Sequence, residues 1–148
     1  MTSDTSSREI TNSRGFSYPR EQVFGAFADA ARLARWWGPK GFSNTFHAFD
    51  FRPGGLWNFT MHSAEGHDFK NECVFQEIRE TEGIVIDHVS TPRYLLEVTL
   101  EPVDGGSGTR LLWVQRFETA EMRDKIVKFA GPANEELLDR LEAVLGEG

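Results

Sequence analysis

The chain has one cysteine in 148 residues, Cys73, so no internal disulfide can form. It has no apolar run approaching the roughly 20 residues that a helical membrane span needs. It has no basic excess either. Lys and Arg number 16 against 23 Asp and Glu, a net charge of −7. An acidic surface repels phosphate backbones, and no Lys/Arg cluster offsets this, so nucleic acid is excluded as the expected partner. Residues Met1 to Arg8 lack both a basic segment and an apolar segment, so no secretory leader is expected. These absences together point to a cytoplasmic protein.

Short chemical motifs are also missing. Gly105-Gly106-x-Gly108 lacks the Lys-Ser/Thr pair of a phosphate loop and precedes a strand rather than a helix. His62 and His67, five apart across a turn with Glu65 and Asp68 nearby, do not have a zinc spacing. No metal and no cofactor are expected. Cys73 has no cationic partner or helix N-terminus in its segment to activate it as a nucleophile.

What is present is globular. Apolar residues make up 39% and charged residues 26% of the chain, enough for one sizeable core. The first seven residues read as a frayed tail, and residues 8–148 as one domain. Glu9 to Phe16 reads as a strand. Tyr18-Pro19 opens a helix with Ser17 as its cap. Val23, Phe24, Phe27 and Ala28 recur at helical spacing. Asp29 caps a second helix, Ala30 to Trp37, ended by Gly38-Pro39.

Strands follow, most with period-two alternation and Ser43 to Phe51 with it only in part. Ser43 to Phe51 turns at Arg52-Pro53-Gly54-Gly55, a tight turn that accounts for its own Pro and Gly. Asp50 and Arg52 flank it. Leu56 to His62 puts Trp57, Phe59 and Met61 on one face. His67 to Ile78 aligns Phe69, Asn71, Cys73 and Phe75. Ile84, Ile86 and His88 share a face, as do Tyr94, Leu96, Val98 and Leu100. Asp104 to Gly108 is a hairpin loop. The last strand, Thr109 to Phe117, aligns Leu111, Trp113, Gln115 and Phe117. Helix resumes after the cap Thr119, with Met122, Ile126 and Phe129 at helical spacing. Gly131-Pro132 predicts a break and a second piece over Pro132 to Leu145.

An antiparallel sheet with one buried face needs a cover, and the C-terminal helix is the long amphipathic element available. The expected fold is therefore α+β, a helix-grip. A curved antiparallel sheet of six to seven strands wraps a long C-terminal helix, and two short helices follow the first strand.

Two blocks are distinctive: Leu33-Ala34-Arg35-Trp36-Trp37-Gly38-Pro39, and Asp50-x-Arg52-Pro53-Gly54-Gly55-x-Trp57. With Pro19-x-x-x-Val23-Phe24-x-Ala26-Phe27-x-Asp29 they resemble the activator-of-heat-shock-protein-90-ATPase-like family. That family belongs to the START and birch-pollen-allergen-like superfamily, SRPBCC. The resemblance spans about Ser13 to Leu145. It implies an apolar cavity between sheet and last helix, in a superfamily whose members bind lipids, polyketides or hormones, or act as cyclases. Relatives usually carry Gly-Trp at the start of the last helix. Here Pro132 follows Gly131, which predicts a different helix entrance.

Trp37, Trp57, Phe59, Phe69, Phe75, Tyr94, Trp113 and Phe129 are the expected cavity walls. Asn71, His88 and Gln115 are the expected polar groups among them. Buried polar groups persist when paired with one another, with water or with a ligand, and apolar walls with few polar groups suit a small-molecule site. The expectation is a non-enzymatic binding protein for a small apolar or aromatic ligand. Two alternatives stay open. One is a cyclase or dehydratase using His88 with Tyr94 or Asn71. The other is a chaperone-associated interaction domain, which needs an exposed apolar patch. Asp87, next to His88 on its strand, faces the other way and cannot back it. A homodimer through strand edges or exposed apolar residues is also open.

Overall fold

The computed structural model describes residues 5–147. The order is β1 (Glu9–Phe16), α1 (Arg20–Ala28), α2 (Ala30–Trp36), β2 (Ser43–Phe49), β3 (Leu56–His62), β4 (Asp68–Arg79), β5 (Gly83–His88), β6 (Tyr94–Val103), β7 (Gly108–Phe117) and α3 (Ala120–Gly146). A 3-10 turn over Thr5–Arg8 precedes β1. The expected tail over residues 1–7 falls in part outside the described residues.

The seven strands form one antiparallel sheet in the order β1-β7-β6-β5-β4-β3-β2. Every neighbour in sequence is a neighbour in the sheet, except that β1 closes against β7. The two short helices bridge from β1 to the far edge, and α3 lies across the concave face. This is the expected α+β helix-grip, with seven strands.

Alternation sets which side chains face inward. Trp57 and Phe59 on β3, Cys73 and Phe75 on β4, Ile84, Ile86 and His88 on β5, and Leu111, Trp113, Gln115 and Phe117 on β7 are all buried. Leu137, Leu138, Leu141, Val144 and Leu145 on α3 fill the same core. They recur at three- and four-residue steps, so one helix face meets the sheet.

Helix α3 is one continuous helix of 27 residues with Pro132 inside it, not the two pieces expected from Gly131-Pro132. At 1.5 Å per residue it is about 40 Å long. Pro132 removes one N–H from the ladder, orphaning the carbonyl four residues earlier. Both Lys128 and Pro132 lie on the exposed side of the helix. The buried stripe on the opposite side carries the helix through. Thr119 caps it, its hydroxyl accepting from Met122 N at 3.1 Å.

Helix α1 begins at Arg20 with Pro19 at the cap position and no side-chain cap, so Ser17 does not serve. Asp29 does cap α2, accepting from Ala31 N at 3.0 Å. The turn before β3 needs its second glycine. A Cβ on Gly55 would lie 1.9 Å from the Asp50 carbonyl oxygen. The same turn clips to β4, where Gly54 N donates to Phe75 O at 2.7 Å and Phe75 N to Gly55 O at 3.0 Å. Arg52 and Asp50 pair at 2.7 Å.

Candidate functional site: a cavity between the sheet and the last helix

A cavity of about 320 Å³ lies between the concave face and α3. Trp37, Phe59, Asn71, His88, Tyr94, Trp113, Gln115 and Phe129 line it, together with Met61, Phe117, Ile126, Ala133, Asn134 and Leu137. A wider hollow of about 490 Å³ adjoins it, sharing Pro39, Met61, Asn71, Pro92 and Phe129. Phe69 lines that outer hollow rather than the inner cavity. Phe69 is 50% exposed and Phe129 68%, so both mark a mouth.

Trp57 and Phe75 lie outside the cavity lining, contrary to the sequence expectation. Their rings stack with a 3° tilt at 5.8 Å, and Trp57 stacks on Phe59 at 4.5 Å. Phe46 and Phe49 of β2 cover Trp57 edge-on at 5.5 and 6.2 Å. The β2 aromatics fold over this end of the grip and fill it. The cavity therefore lies beyond Trp57 and Phe75, under Phe59 and Met61 of β3, Asn71 of β4, and the inward residues of β5, β6 and β7.

The Trp36-Trp37 pair divides its work. Trp36 is fully buried and donates from Nε1 to Ala26 O at 3.1 Å, stapling α2 to α1. Trp37 leaves the helix and packs against Trp57 at 4.8 Å and Trp113 at 5.6 Å, forming a cavity wall. The loop carrying it is held by Arg140 of α3, a residue the sequence reading passed over. Its Nη1 donates to the carbonyls of Trp37, Gly38 and Pro39 at 3.2, 2.9 and 3.0 Å. Its Nη2 donates to those of Arg35 and Phe42 at 2.8 and 3.0 Å. Burial pushes the guanidinium pKa down, yet five carbonyl oxygens ring the charge. Gly38 sits at φ +96°, and a Cβ there would meet Met61 Cε at 2.6 Å.

Two polar groups of the cavity sit near its mouth. His88 stacks on Tyr94, ring centroids 4.5 Å apart and 10° from parallel. Its Nδ1 lies 2.8 Å from Pro92 O and its Nε2 2.6 Å from the Asn71 side-chain oxygen. Pro92 O can only accept, so Nδ1 carries a proton. Burial is the largest influence on the ring and pushes its pKa down, outweighing the pull of the Pro92 and Ser90 backbone and of Asp87. Asn71 donates from Nδ2 to Phe69 O at 3.0 Å and turns its oxygen to Nε2, an arrangement into which only the protonated ring can donate. Asp87 faces outward and pairs with Arg93 at 2.9 Å.

The deeper polar groups form a chain. Asn134 of α3, also missed in sequence, is buried and donates from Nδ2 to Gln115 Oε1 at 2.7 Å and to Asn12 Oδ1 at 3.0 Å. Its signal was available: one Asn among Ala130, Leu137, Leu138 and Leu141 on the buried stripe. The Gln115 side chain lies diagonally beside Tyr94, whose hydroxyl pKa is raised chiefly by burial. Cys73 lies beneath this wall, its thiol pushed up to about 12 mainly by burial. The indole N–H groups of Trp57 and Trp113 are buried with no hydrogen-bond partner among the described residues.

Among the described residues no group of three or more His, Cys, Asp or Glu side chains is placed to hold a metal ion. No described helix is long and apolar enough to cross a membrane.

No curated protein matches the chain. Among solved structures, a Nitrosomonas europaea protein superposes with a TM-score of 0.86 at 21% identity, covering 95% of this chain and 96% of that one. An Arthrobacter aurescens protein gives 0.87 at 23% identity, covering 99% and 91%. The AHSA1 protein of Silicibacter pomeroyi gives 0.75 at 21% identity, covering 93% and 97%. At these identities the likeness is one of fold. Residues 17–146 match the family described as Activator of Hsp90 ATPase homolog 1-like protein, and the chain belongs to that family, within the SRPBCC superfamily of ligand-binding folds.

Proposed function

We propose that this protein is a non-enzymatic, cytoplasmic binding module for one small apolar or aromatic molecule held between the sheet and α3. The observation that carries this reading is the cavity of about 320 Å³, walled by Trp37, Phe59, Trp113 and Phe129 with a narrow strip of polar side chains. That volume is at the lower end of ligand pockets, which suits a ligand of one or two rings. The wider hollow beside Phe69 and Phe129 serves as its way in.

A cyclase or dehydratase would need His88 as a free base within reach of a substrate. His88 lines the cavity, but both ring nitrogens are already engaged, by Pro92 O and by Asn71. The nearest carboxylate on its strand, Asp87, is turned away to Arg93. This favours binding over catalysis.

A thermal-shift screen against planar hydrophobic compounds tests the reading. A ligand that binds only the folded chain raises Tm with concentration. A panel of one- and two-ring compounds that leaves Tm unmoved at saturating concentration would defeat it.

A further inference from the structure

The polar chain behind the cavity has a direction, and the direction is set at the protein surface. Glu135 of α3 is a carboxylate and can only accept. Arg14 holds one of its oxygens at 2.9 Å. The other takes a hydrogen bond from Asn12 Nδ2 at 2.7 Å. Asn12 must therefore turn its amide oxygen the other way, where Asn134 Nδ2 donates to it at 3.0 Å. The second hydrogen of Asn134 Nδ2 goes to Gln115 Oε1 at 2.7 Å. With its oxygen committed, Gln115 presents its NH2 group along the cavity wall.

That NH2 faces Tyr94. Tyr94 opposes Phe117 and Leu96 opposes Gln115, so Tyr94 and Gln115 are diagonal neighbours on the inward face. Burial keeps the phenol protonated, so Tyr94 carries its own hydrogen into the cavity. Among the described residues neither that hydrogen nor the Gln115 NH2 group meets a hydrogen-bond acceptor. Both groups line the cavity. Tyr94 and Gln115 thus present hydrogens side by side on this wall, with the Asn134 amide held behind Gln115.

We infer that Tyr94 and Gln115 form a paired donor site for one oxygen of the bound molecule, so that the cavity selects an apolar or aromatic compound bearing a hydrogen-bond acceptor, a carbonyl or carboxylate oxygen, over a plain hydrocarbon. This rests on the binding reading above and adds a chemical class to it. Asn134, Asn12 and Glu135 are positioning residues. They fix which way the Gln115 amide points, Asn12 and Glu135 from outside the cavity and Asn134 from its wall.

The test compares 2-acetylnaphthalene with 2-ethylnaphthalene, near-equal in shape and different in one acceptor. Kd is measured for both on the wild-type protein and on Tyr94→Phe and Gln115→Met. The readout is the ratio of the two affinities, which cancels their different solubilities. The ratio is expected to fall about fivefold in each variant, the worth of one hydrogen bond, with the hydrocarbon affinity kept. Asn134→Leu should lower the ratio in the same direction without removing a donor. A ratio unchanged in both Tyr94→Phe and Gln115→Met overturns the donor site and leaves the binding module standing. Failure of the wild type to bind either compound overturns the binding reading itself.

Discussion

His88 Nε2 and the side-chain amide of Asn71 meet at 2.6 Å across β5 and β4. The amide can face the ring with its oxygen only if the ring is protonated. Burial pushes the His88 pKa below its ordinary 6.5, so the folded protein binds fewer protons here than the unfolded chain. Stability from this group is complete above about pH 6.5 and is lost as pH falls below it toward the folded value. Urea midpoints measured between pH 8 and pH 5 should decline on the acid side. His88→Phe should flatten that decline, and an equally steep decline in the variant would reject the assignment.

Arg140 is expected to be the most sensitive exposed-looking position in α3. Replacing it with Met strips the carbonyls of Arg35, Trp37, Gly38, Pro39 and Phe42 of a charged donor. Hydrogen bonds to a charged group are worth about 1.5–3 kcal/mol, so a loss of about 2–3 kcal/mol in unfolding free energy is expected. Chemical denaturation checks it. A loss near zero would mean the loop holds itself.

Cys73 should be inert in the folded protein. It is 2% exposed, and its thiol is pushed up to about 12. At pH 8 a disulfide reagent such as dithionitrobenzoate should react only on the timescale of unfolding, and at once in denaturant. Fast reaction without denaturant would place the thiol within reach of the cavity or solvent.

Phe129 separates access from stability. It is 68% exposed at the cavity mouth. Phe129→Ala should change unfolding free energy by no more than about 0.5 kcal/mol, as surface changes do. It should change ligand association and dissociation rates in stopped flow. Buried Leu138 supplies the contrast: Leu138→Ala should cost about 2–5 kcal/mol.

Much of the fold could be read from alternation and punctuation. Trp57, Phe59 and Met61 declare one face of β3 by spacing alone, and Asp29 and Thr119 declare helix starts. Gly131-Pro132 misled because a proline rule is local, while the stripe from Ala130 to Leu145 that carries α3 through is tertiary. The facing of Asn71, His88 and Gln115 was also legible, since period two decides it. Where along the sheet the cavity lies was not. Trp57 and Phe75 face inward like Tyr94 and Trp113, and only the fold of β2 over them fills their end. Arg140 was invisible because its partners are backbone carbonyls, which every sequence has. Trp37 forms a cavity wall, and its neighbour Trp36 is the staple between α1 and α2.

The central claim is that the space between sheet and α3 holds a ligand. Ala133 lines it from the helix side, opposite Trp37 and Trp113. Tryptophan emission should be titrated with 2-acetylnaphthalene in the wild type and in Ala133→Phe, which fills the cavity. The account predicts a saturable, one-to-one change in the wild type that is weakened at least tenfold in a folded Ala133→Phe variant. No saturable change, or equal binding in both proteins, would contradict it.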